Sequence, residues 1–409
     1  LTGGINVNSP KQVCEYLYDK LGFPEPTDRR GNPIRTPGGG RTANAKIIAG
    51  LKAQTKEQKR FLAAKAKQST LNAAVTKNLE FFRGVCEHQE GWFRGKYNQS
   101  VTATHRLSSS GVPIKLGTWK KEKGVQLQNM DRDFKPLFRA RNAGWLYGEI
   151  DGGQLEFRGA AYCGQDTRAI NDIRAGFDVH SFTGSILFNR PMDAITKEQR
   201  QNSKEHSFKP LYGGSSGTPA ERKYYAAFRA RYPEIAETQK GWTYEVLGDK
   251  KLELPWGMVF YWPDCRMEQS GYITHTQEIY NYPIQSFATA EVIPIAVVYL
   301  WHRLKAASAK TFLVNTVHDS AEAEVHPDEV ELFKELAVQA FTLDVFRYLK
   351  DVYTVDFNVP LGVGLKVGSH WGVGDETKLD VENPYIGEVD AEGNDCDYQD
   401  GEARPAAGR

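Results

Sequence analysis

The segment 311–325 constrains the fold most strongly. It reads TFLVNTV, then HD, then SAEAEV, so a two-residue connection separates two β-prone runs. This pattern predicts a β-hairpin with His318 and Asp319 at its tip. The apolar stretch 291–305 just before it predicts a helix. No period of about 20 to 50 residues repeats, which argues against solenoids and propellers and favours a mixed fold of helices and strands.

The chain is large enough for a substantial core, and its charge is unevenly divided. It has 409 residues, 40% of them hydrophobic, and a formal net charge of +1. Residues 375–409 contain 11 acidic and 3 basic residues, whereas the preceding part contains 49 basic and 40 acidic ones. A basic body suits a nucleic acid partner because Lys and Arg neutralise phosphates. We expect the acidic tail, 375–409, to be loosely ordered.

The cysteines and the hydropathy pattern indicate the compartment. Five widely spaced cysteines without a CxxC pair disfavour a disulfide framework and a zinc site. No apolar run approaches the roughly 20 residues of a membrane span, and no signal segment opens the chain. We therefore expect a cytoplasmic protein without a membrane partner.

Two stretches near the N-terminus differ in composition. Residues 1–40 end in TDRRGNPIRTPGGGR, which predicts a linker, because a phosphate-binding loop would close with GK[ST]. Residues 41–83 contain 10 basic and 2 acidic residues on a helix-favouring background. The pattern leaves open whether these basic helices present a solvated face or a clamp for a phosphate backbone.

Two aspartates lie at the ends of predicted strands. Residues 145–150 predict a strand that ends at Asp151, and Asp319 follows the first strand of the hairpin. Carboxylates are the ligands that Mg²⁺ prefers. An aspartate at a strand end is also a common turn residue, so the pattern alone supports both interpretations.

A four-residue repeat marks a second candidate site. Arg200, Lys204, Phe208 and Tyr212 would form one stripe along a helix, each displaced about 40° from the last. The cations suit a triphosphate, and the aromatic rings suit a base or a sugar. An amphipathic surface helix with chance spacing is the alternative. The glycine pair that follows predicts the end of the helix.

These segments occur in the order found in family A DNA polymerases, of the bacterial DNA polymerase I and phage type. From about residue 5 to 372 the chain resembles the polymerase domain of that family. The similar segments are INVNSPKQVCEYLYDKLGFP (5–24), VTATHRLSSS (101–110), LQN (127–129), DGGQLEFR (151–158, motif A), RQNSKEHSFKPLYGG (200–214, motif B), NYPIQ (281–285) and VHDS (317–320, motif C).

The resemblance implies an α+β right-hand polymerase fold, with an antiparallel palm sheet, helical fingers and a helical thumb. The expected parts are a palm entry segment and linker (1–40), the thumb (41–100), palm with motif A (101–160), fingers with motif B (161–265), palm with motif C (266–374) and the acidic tail (375–409).

The resemblance also assigns expected roles to individual residues. It implies Asp151, Asp319 and Lys204 as catalytic residues, with the two aspartates binding two Mg²⁺ ions that Mn²⁺ can replace. The dNTP-binding residues would be Gln154, Glu156, His180, Arg200, Lys204, Phe208 and Tyr212. The DNA-binding residues would be Arg106, Gln285, Asn281 and His318.

The expected function is template-directed DNA synthesis on a primer–template in replication or repair, with dNTPs as substrates. A processivity factor and an upstream exonuclease domain are left open. In the similar enzymes a glutamate at position 156 blocks the ribose 2′-hydroxyl, which favours deoxynucleotides. The alternatives are a single-subunit RNA polymerase or primase-like enzyme, since Asp151-Gly152 and His318-Asp319-Ser320 resemble the RNA polymerase versions, and a non-catalytic DNA-binding scaffold.

Three features depart from the family pattern. Ser320 replaces the usual glutamate after the motif C aspartate, and strand alternation would point Glu322 and Glu324 away from Asp319. Pro210 should kink the motif B helix. Residues 111–126 form an insertion, which is either a surface loop or an added DNA contact through its lysines, Lys115, Lys120, Lys121 and Lys123.

Overall fold

The computed structural model describes residues 4–28, 31–88, 90–112, 114–116, 120–122 and 126–386. The α-helices among them, in chain order, are α1 (Pro10–Cys14), α2 (Ala45–Gly50), α3 (Lys56–Ala73), α4 (Glu80–His88), α5 (Leu155–Gly164), α6 (Thr167–Arg174), α7 (Val179–Leu187), α8 (Lys197–Ser207), α9 (Pro219–Arg231), α10 (Pro233–Asp249), α11 (Thr276–Ser286), α12 (Ile293–Ala306), α13 (Val330–Phe341) and α14 (Leu343–Tyr353). Short π-helical segments are Glu15–Lys20, Ala74–Leu79 and Phe287–Val292. Short 3₁₀ segments are Leu127–Asn129, Arg132–Leu137, Met192–Ala194, Lys209–Tyr212 and Pro327–Glu329.

The strands, in chain order, are β1 (Gly95–Asn98), β2 (Ser108–Gly111), β3 (Ile114–Leu116), β4 (Lys120–Glu122), β5 (Leu146–Gly153), β6 (Lys251–Glu253), β7 (Val259–Tyr261), β8 (Phe312–Val317), β9 (Ser320–Val325), β10 (Leu361–Gly368) and β11 (Thr377–Val381). Five of them form one sheet in the order β11-β10-β5-β9-β8. All pairs in this sheet are antiparallel. The hairpin predicted from 311–325 is therefore present as β8 and β9.

The chain divides into two compact units. The first comprises Leu1–Arg94 with Val112–Val125, and the second comprises Gly95–Gly111 with Gln126–Arg409. Residues 1–40, which were expected to open the palm, fall in the first unit. They belong to the first unit because their apolar side chains pack against α3, as the contact of Tyr16 with Phe61 at 5.0 Å between ring centroids illustrates.

The first unit contains the helices predicted from the basic stretch 41–83. A capping box starts α3, because Thr55 accepts from the backbone of Gln58 while Gln58 accepts from the backbone of Thr55. The apolar core of this unit is small and includes Val13, Leu17 and Phe61. The described part of the 111–126 insertion forms the β3–β4 hairpin. Lys123 lies outside the described residues.

The large sheet of the second unit has one apolar and one polar face, since side chains alternate along a strand. Ile150, Ala321 and Val363 point to the apolar face and are almost completely buried. Helix α13 packs on this face against β5 and β10. A Cβ atom at Gly148 would lie 2.5 Å from the ring of Phe333, so glycine there allows the helix to approach closely. The polar face carries Asp151.

An aromatic cluster organises the helices between β5 and β8. Phe157 on α5 contacts Phe228 and Tyr232 from α9 and its C-terminal end, at 6.3 and 5.2 Å between ring centroids. Such pairs add about 0.5–1.5 kcal/mol each beyond the apolar area that they bury. This packing fixes α5, which begins four residues after Asp151, to α9.

The C-terminal region differs from the expectation of a loosely ordered tail from residue 375. Strand β11 pairs with β10 over five residues, from Leu361 opposite Val381 to Leu365 opposite Thr377. The acidic composition suggested disorder, but two of these acidic side chains meet arginines, Arg158 with Asp380 and Arg174 with Glu382. The rest of the predicted tail, 387–409, lies outside the described residues.

In the part of the chain that the structure describes, one helical stretch is long and apolar enough to cross a membrane. It is Thr276–Ala306, and 56% of its most apolar window is buried inside the protein. Half-burial of this kind is also typical of a core helix in a globular protein, and α12 here packs against α13 and α14.

Candidate active site

Asp151 and Asp319 meet on neighbouring strands of the large sheet. Asp151 pairs with Ser320, the residue next to Asp319, and the backbone N–H of Gly152 donates to the carbonyl oxygen of Asp319 at 2.8 Å. Directly paired residues in antiparallel strands have Cα atoms about 4.5–5.5 Å apart. The backbone therefore brings together two carboxylates that are far apart in sequence.

The pKa values of both carboxyl groups are raised. Incomplete hydration, followed by the charge of Asp319, raises the pKa of Asp151 to about 7. Incomplete hydration also raises the pKa of Asp319 to about 6, although Arg106 acts to lower it. Arg106 pairs only loosely with Asp319, because its Nη2 lies 3.7 Å from Asp319 Oδ1. That oxygen is buried and has no hydrogen-bond partner among the described residues.

A third carboxylate does not complete the pair. The described residues include no group of three or more His, Cys, Asp or Glu side chains arranged to hold a metal ion. Ser320 Oγ donates to Glu322 Oε1 at 2.6 Å, and Glu324 pairs with Arg141 at 3.0 Å. Burial raises the pKa of Glu322 to about 8, so its carboxyl group is protonated at neutral pH. Neither glutamate therefore replaces the one expected at position 320.

The predicted stripe is divided between two helices. Helix α8 ends at Ser207, and a 3₁₀ segment, Lys209–Tyr212, follows with Pro210 in its first turn. Proline has no N–H to bond the preceding turn, so the α-helix cannot continue through it. The expectation of a continuous helix from Arg200 to Tyr212 was wrong for this reason, whereas the expected disruption at Pro210 is present.

The two cations of α8 have different surroundings. Arg200 binds Asp178 in a forked arrangement, with Nε 2.7 Å from Oδ2 and Nη2 3.1 Å from Oδ1. Burial acts to raise the pKa of Asp178, but the hydrogen bonds from Arg200 and Ser181 hold it at about 2. Lys204 is exposed and has no carboxylate partner within the described ranges. Incomplete hydration and the charge of Arg200 lower its pKa.

His180 lies between α8 and the aromatic rings. It is buried, its Nδ1 lies 2.8 Å from Ser207 Oγ, and its ring meets the edge of Phe208 at 5.6 Å. Burial, followed by the charge of Arg200, lowers the pKa of His180 to about 4. His180 is therefore neutral at pH 7. Phe208 also stacks on Phe157, with 5.5 Å between ring centroids.

Glu156 and Tyr212 form a second link between motif segments. The hydroxyl of Tyr212 donates to Glu156 Oε2. Burial and the charge of Glu156 raise the pKa of Tyr212, which keeps the phenol protonated as a donor. Gln154 has a left-handed backbone (φ 53°) at the start of α5, and its side chain is exposed. The residues after Asp151 thus turn sharply from the sheet into the helix that carries Glu156.

The four expected DNA-binding residues occupy three different elements. Arg106 lies in the loop before β2, close to Asp319. His318 is exposed at the hairpin tip in a left-handed conformation (φ 55°). Asn281 and Gln285 are one turn apart on α11, and Asn281 Oδ1 is buried without a hydrogen-bond partner among the described residues. An unsatisfied buried acceptor is costly unless a ligand or water satisfies it.

Sequence reasoning missed two residues that organise this site. Asp178 holds Arg200, and Ser207 holds His180. Asp178 could have been found, because it is an N-cap residue at the start of α7 and accepts from the backbone of His180 and Ser181. Ser207 gave no signal, since its contact depends on the packing of α7 against α8.

The site thus combines an aspartate pair on a five-stranded antiparallel sheet with helices that carry cations and aromatic rings. The sequence model of DNA polymerase family A matches residues 1–373. The chain belongs to DNA polymerase family A.

Curated relatives agree with this assignment. The chain is 26% identical over 391 residues to DNA polymerase I of Chloroflexus aurantiacus, covering 90% of this chain and 38% of that protein. It is 25% identical over 376 residues to the thermostable DNA polymerase I of Thermus aquaticus, covering 90% and 42%. It is 28% identical over 382 residues to DNA polymerase I of Pseudomonas aeruginosa, covering 90% and 38%. The chain thus spans about two fifths of these relatives.

A solved structure shows the same fold. The POL domain of Pol1 from M. smegmatis, in complex with DNA primer-template and dNTP, superposes with a TM-score of 0.67 at 23% identity. The match covers 90% of this chain and 62% of that chain. The α+β right-hand polymerase fold predicted from the motifs is confirmed.

Proposed function

We propose that this chain catalyses template-directed DNA synthesis, adding dNTPs to a primer 3′-hydroxyl in replication or repair. The observation that carries the proposal is the aspartate pair, Asp151 and Asp319, fixed side by side by the pairing of β5 with the hairpin. Family membership and the relatives named DNA polymerase I support it. The partners would be a primer–template and dNTPs.

The aspartate pair fits a divalent cation site. The pKa values of both aspartates are raised, and Asp319 Oδ1 is buried without a hydrogen-bond partner among the described residues. A bound cation would reduce the repulsion between the two carboxylates and would coordinate this oxygen. We propose that Asp151 and Asp319 would hold two Mg²⁺ ions, or Mn²⁺ in their place. Mg²⁺ is commonly bound by one or two carboxylates together with substrate phosphates, so a third carboxylate is not required. When bound, such ions activate the attacking hydroxyl and stabilise the leaving oxygen.

The cations of α8 would bind the triphosphate. Lys204 is the better placed, because it is exposed and has no carboxylate partner among the described residues, whereas Arg200 already binds Asp178. Its lowered pKa suits a group that releases a proton to the departing pyrophosphate. His180 is neutral in the nucleotide-free protein and would bind phosphate as a hydrogen-bond partner. Positive charge at this point stabilises the charge that develops during phosphoryl transfer.

Sugar selection would depend on Glu156. Tyr212 holds the Glu156 carboxylate in place, and α5 fixes its distance from Asp151. A fixed side chain in the space of a ribose 2′-hydroxyl excludes ribonucleotides by a steric clash and by an unmet polar group. This arrangement favours dNTPs over the rNTPs of a single-subunit RNA polymerase.

Template contacts would come from residues on α11, in the loop before β2 and at the tip of the hairpin. Asn281 Oδ1 lacks a hydrogen bond within the described residues, and Gln285 lies one turn along the same helix. Arg106, beside Asp319, could donate to minor-groove acceptors that A·T and G·C pairs share, which tests pair geometry without reading sequence. His318 would support the primer end at the tip of the hairpin.

A primer-extension assay tests the proposal. We expect extension with Mg²⁺ and dNTPs, none with EDTA, and little with rNTPs. Equal use of dNTPs and rNTPs would contradict the role of Glu156 and favour an RNA-synthesising or primase-like enzyme. Binding of primer–template without any metal-dependent extension would support the non-catalytic scaffold instead.

A further inference from the structure

Strand β11 lies beyond the part of the chain that the family model matches. The match ends at residue 373, whereas β11 spans Thr377–Val381 and forms the edge of the large sheet next to β10. Asp380 anchors it, because Arg158 Nη2 lies 2.5 Å from Asp380 Oδ1, and Lys350 Nζ donates to the carbonyl oxygen of Tyr385 at 2.8 Å. The strand is therefore a fixed part of the sheet.

The register places Lys378 in line with Asp151. Gly364 of β10 pairs with Asp151 on one side and with Lys378 on the other. Directly paired residues in antiparallel strands point to the same face, and neighbouring strands are about 4.8 Å apart. Lys378 thus projects from the face that carries Asp151, roughly two strand spacings away. The Glu376 carboxylate lies over Gly364 on this face, because a Cβ atom at Gly364 would come within 3.2 Å of Glu376 Oε1.

Lys378 is available for a ligand. Its side chain is 75% exposed, and its Nζ lies 3.3 Å from Glu376, which also approaches Lys366 at 3.6 Å. The positive charge of Lys378 contributes to the lowered pKa values of Lys204 and His180. The charges of Lys204 on α8 and Lys378 on β11 therefore repel each other, and the Glu376 carboxylate offsets part of this repulsion. Like charges held near each other in this way favour the binding of a further anion.

We propose that Lys378 binds the triphosphate of the incoming nucleotide from the sheet side, opposite Lys204. The inference rests on the proposed function and adds to it a phosphate-binding residue from outside the matched family span. A polyphosphate fits better than a DNA strand, because the row through Gly364 points from Lys378 to Asp151, where the α-phosphate must lie for transfer to the primer. Lysine suits this task because its ammonium is a mobile point charge that adapts to any phosphate oxygen.

The test compares Lys378→Ala, Lys378→Arg and Lys334→Ala. Lys334 is the control, a half-buried lysine paired with Glu331 at 2.7 Å on α13. Binding of dNTP is measured by calorimetry in Mg²⁺ on a complex with a dideoxy-terminated primer–template, so that no turnover occurs. A charge-assisted contact predicts about tenfold weaker dNTP binding for Lys378→Ala. Lys378→Arg should restore most of the affinity, and Lys334→Ala should match the wild type.

Two results would overturn the inference. One is unchanged dNTP affinity in Lys378→Ala, with a thermal midpoint equal to that of the wild type. The other is weaker binding of the primer–template with unchanged dNTP binding, which would assign Lys378 to the DNA backbone. The assay also separates the two proposals. A wild-type protein that binds dNTP through Lys378 but does not extend a primer would contradict DNA synthesis and support the nucleotide contact.

Discussion

The aspartate pair and the cationic helix solve the problem of placing charge in different ways. Backbone hydrogen bonds between β5 and the hairpin fix Asp151 and Asp319, whose short side chains leave little freedom. Lys204 reaches outward on a long flexible side chain from α8, which ends at Ser207. Metal coordination requires accurately placed ligands, whereas a mobile ammonium can follow a bound phosphate as it moves. The sheet therefore sets the positions of the two carboxylates, and the helix supplies a positive charge that can move.

The largest effect is expected where the backbone sets the position. Asp151→Glu and Asp319→Glu keep the charge but extend each side chain by one methylene, which displaces the carboxylate. We expect both to lose about 10³-fold or more in single-turnover extension rate, nearly as much as Asp→Asn, because several kcal/mol of charge stabilisation are lost. Primer–template affinity should change little. A glutamate variant that retains a large part of the wild-type rate would show that the sheet does not fix this geometry.

Lys204 provides the matched test on the helix. Lys204→Arg keeps the charge, so we expect dNTP affinity to stay within about twofold of the wild type. The guanidinium does not release its proton, so kcat should fall by about 10²-fold if Lys204 is the proton donor. Lys204→Ala should lose both affinity and rate. Unchanged kcat in Lys204→Arg would limit Lys204 to phosphate binding.

Phe208 tests how closely the end of α8 approaches the sugar. Its ring has no hydroxyl to replace the interaction of a missing 3′-OH, so we expect poor use of dideoxynucleotides. Phe208→Tyr should improve their incorporation relative to dNTPs by about tenfold, the effect of one well-placed hydrogen bond to a charged group. Phe188→Tyr, a change at an exposed ring on the C-cap of α7, is the control. Equal selectivity in the wild type and Phe208→Tyr would contradict the placement.

A substitution at Glu322 tests the sheet while leaving both aspartates unchanged. Its expected effect is on the stability of the folded protein. Its pKa is raised to about 8 by burial, above the value of an unfolded chain, so the folded state holds the proton more tightly. The stability that this provides is present below about pH 4.5 and is lost as the pH rises towards 8. Glu322→Gln mimics the protonated form. In EDTA, its thermal midpoint should equal that of the wild type at about pH 4 and exceed it increasingly up to about pH 8, by the equivalent of about a few kcal/mol. If the thermal midpoints of Glu322→Gln and the wild type changed in parallel with pH, the pKa of Glu322 would be the same in the folded and unfolded states.

Strong local patterns made much of the fold predictable. The hairpin at 311–325 was identified because its strands are β-prone and its connection is short, and the basic helices because their background favours helix. The stripe from Arg200 to Tyr212 was predicted as one helix because spacing outweighed Pro210, although proline chemistry pointed to the break. The prediction of a loosely ordered tail used composition alone, and composition does not reveal that Asp380 pairs with a buried arginine.

The pairings within the site could not be predicted from local patterns. Arg200 and Asp178 lie 22 residues apart, and Lys378 and Asp151 are related only through a third strand. Such contacts depend on which strands become neighbours and on how α7 packs against α8. These choices are made by burial of apolar surface over the whole unit, so no short segment encodes them.

The amino-acid sequence was enough to identify the chemical groups of the site, which are two carboxylates at predicted strand ends and cations at helical spacing. It was also enough to show motifs in the order of the polymerase family. Those choices are local, because residue type and spacing fix what a segment can form and which ligands it can hold. The tertiary contacts were needed to show that Asp151 shares a row with Gly364 and Lys378. They also show that Asp178 holds Arg200, whereas Lys204 has no carboxylate partner in the described part of the chain. Register between distant strands is set by the packing of both faces of a sheet, and this is a property of the folded unit as a whole.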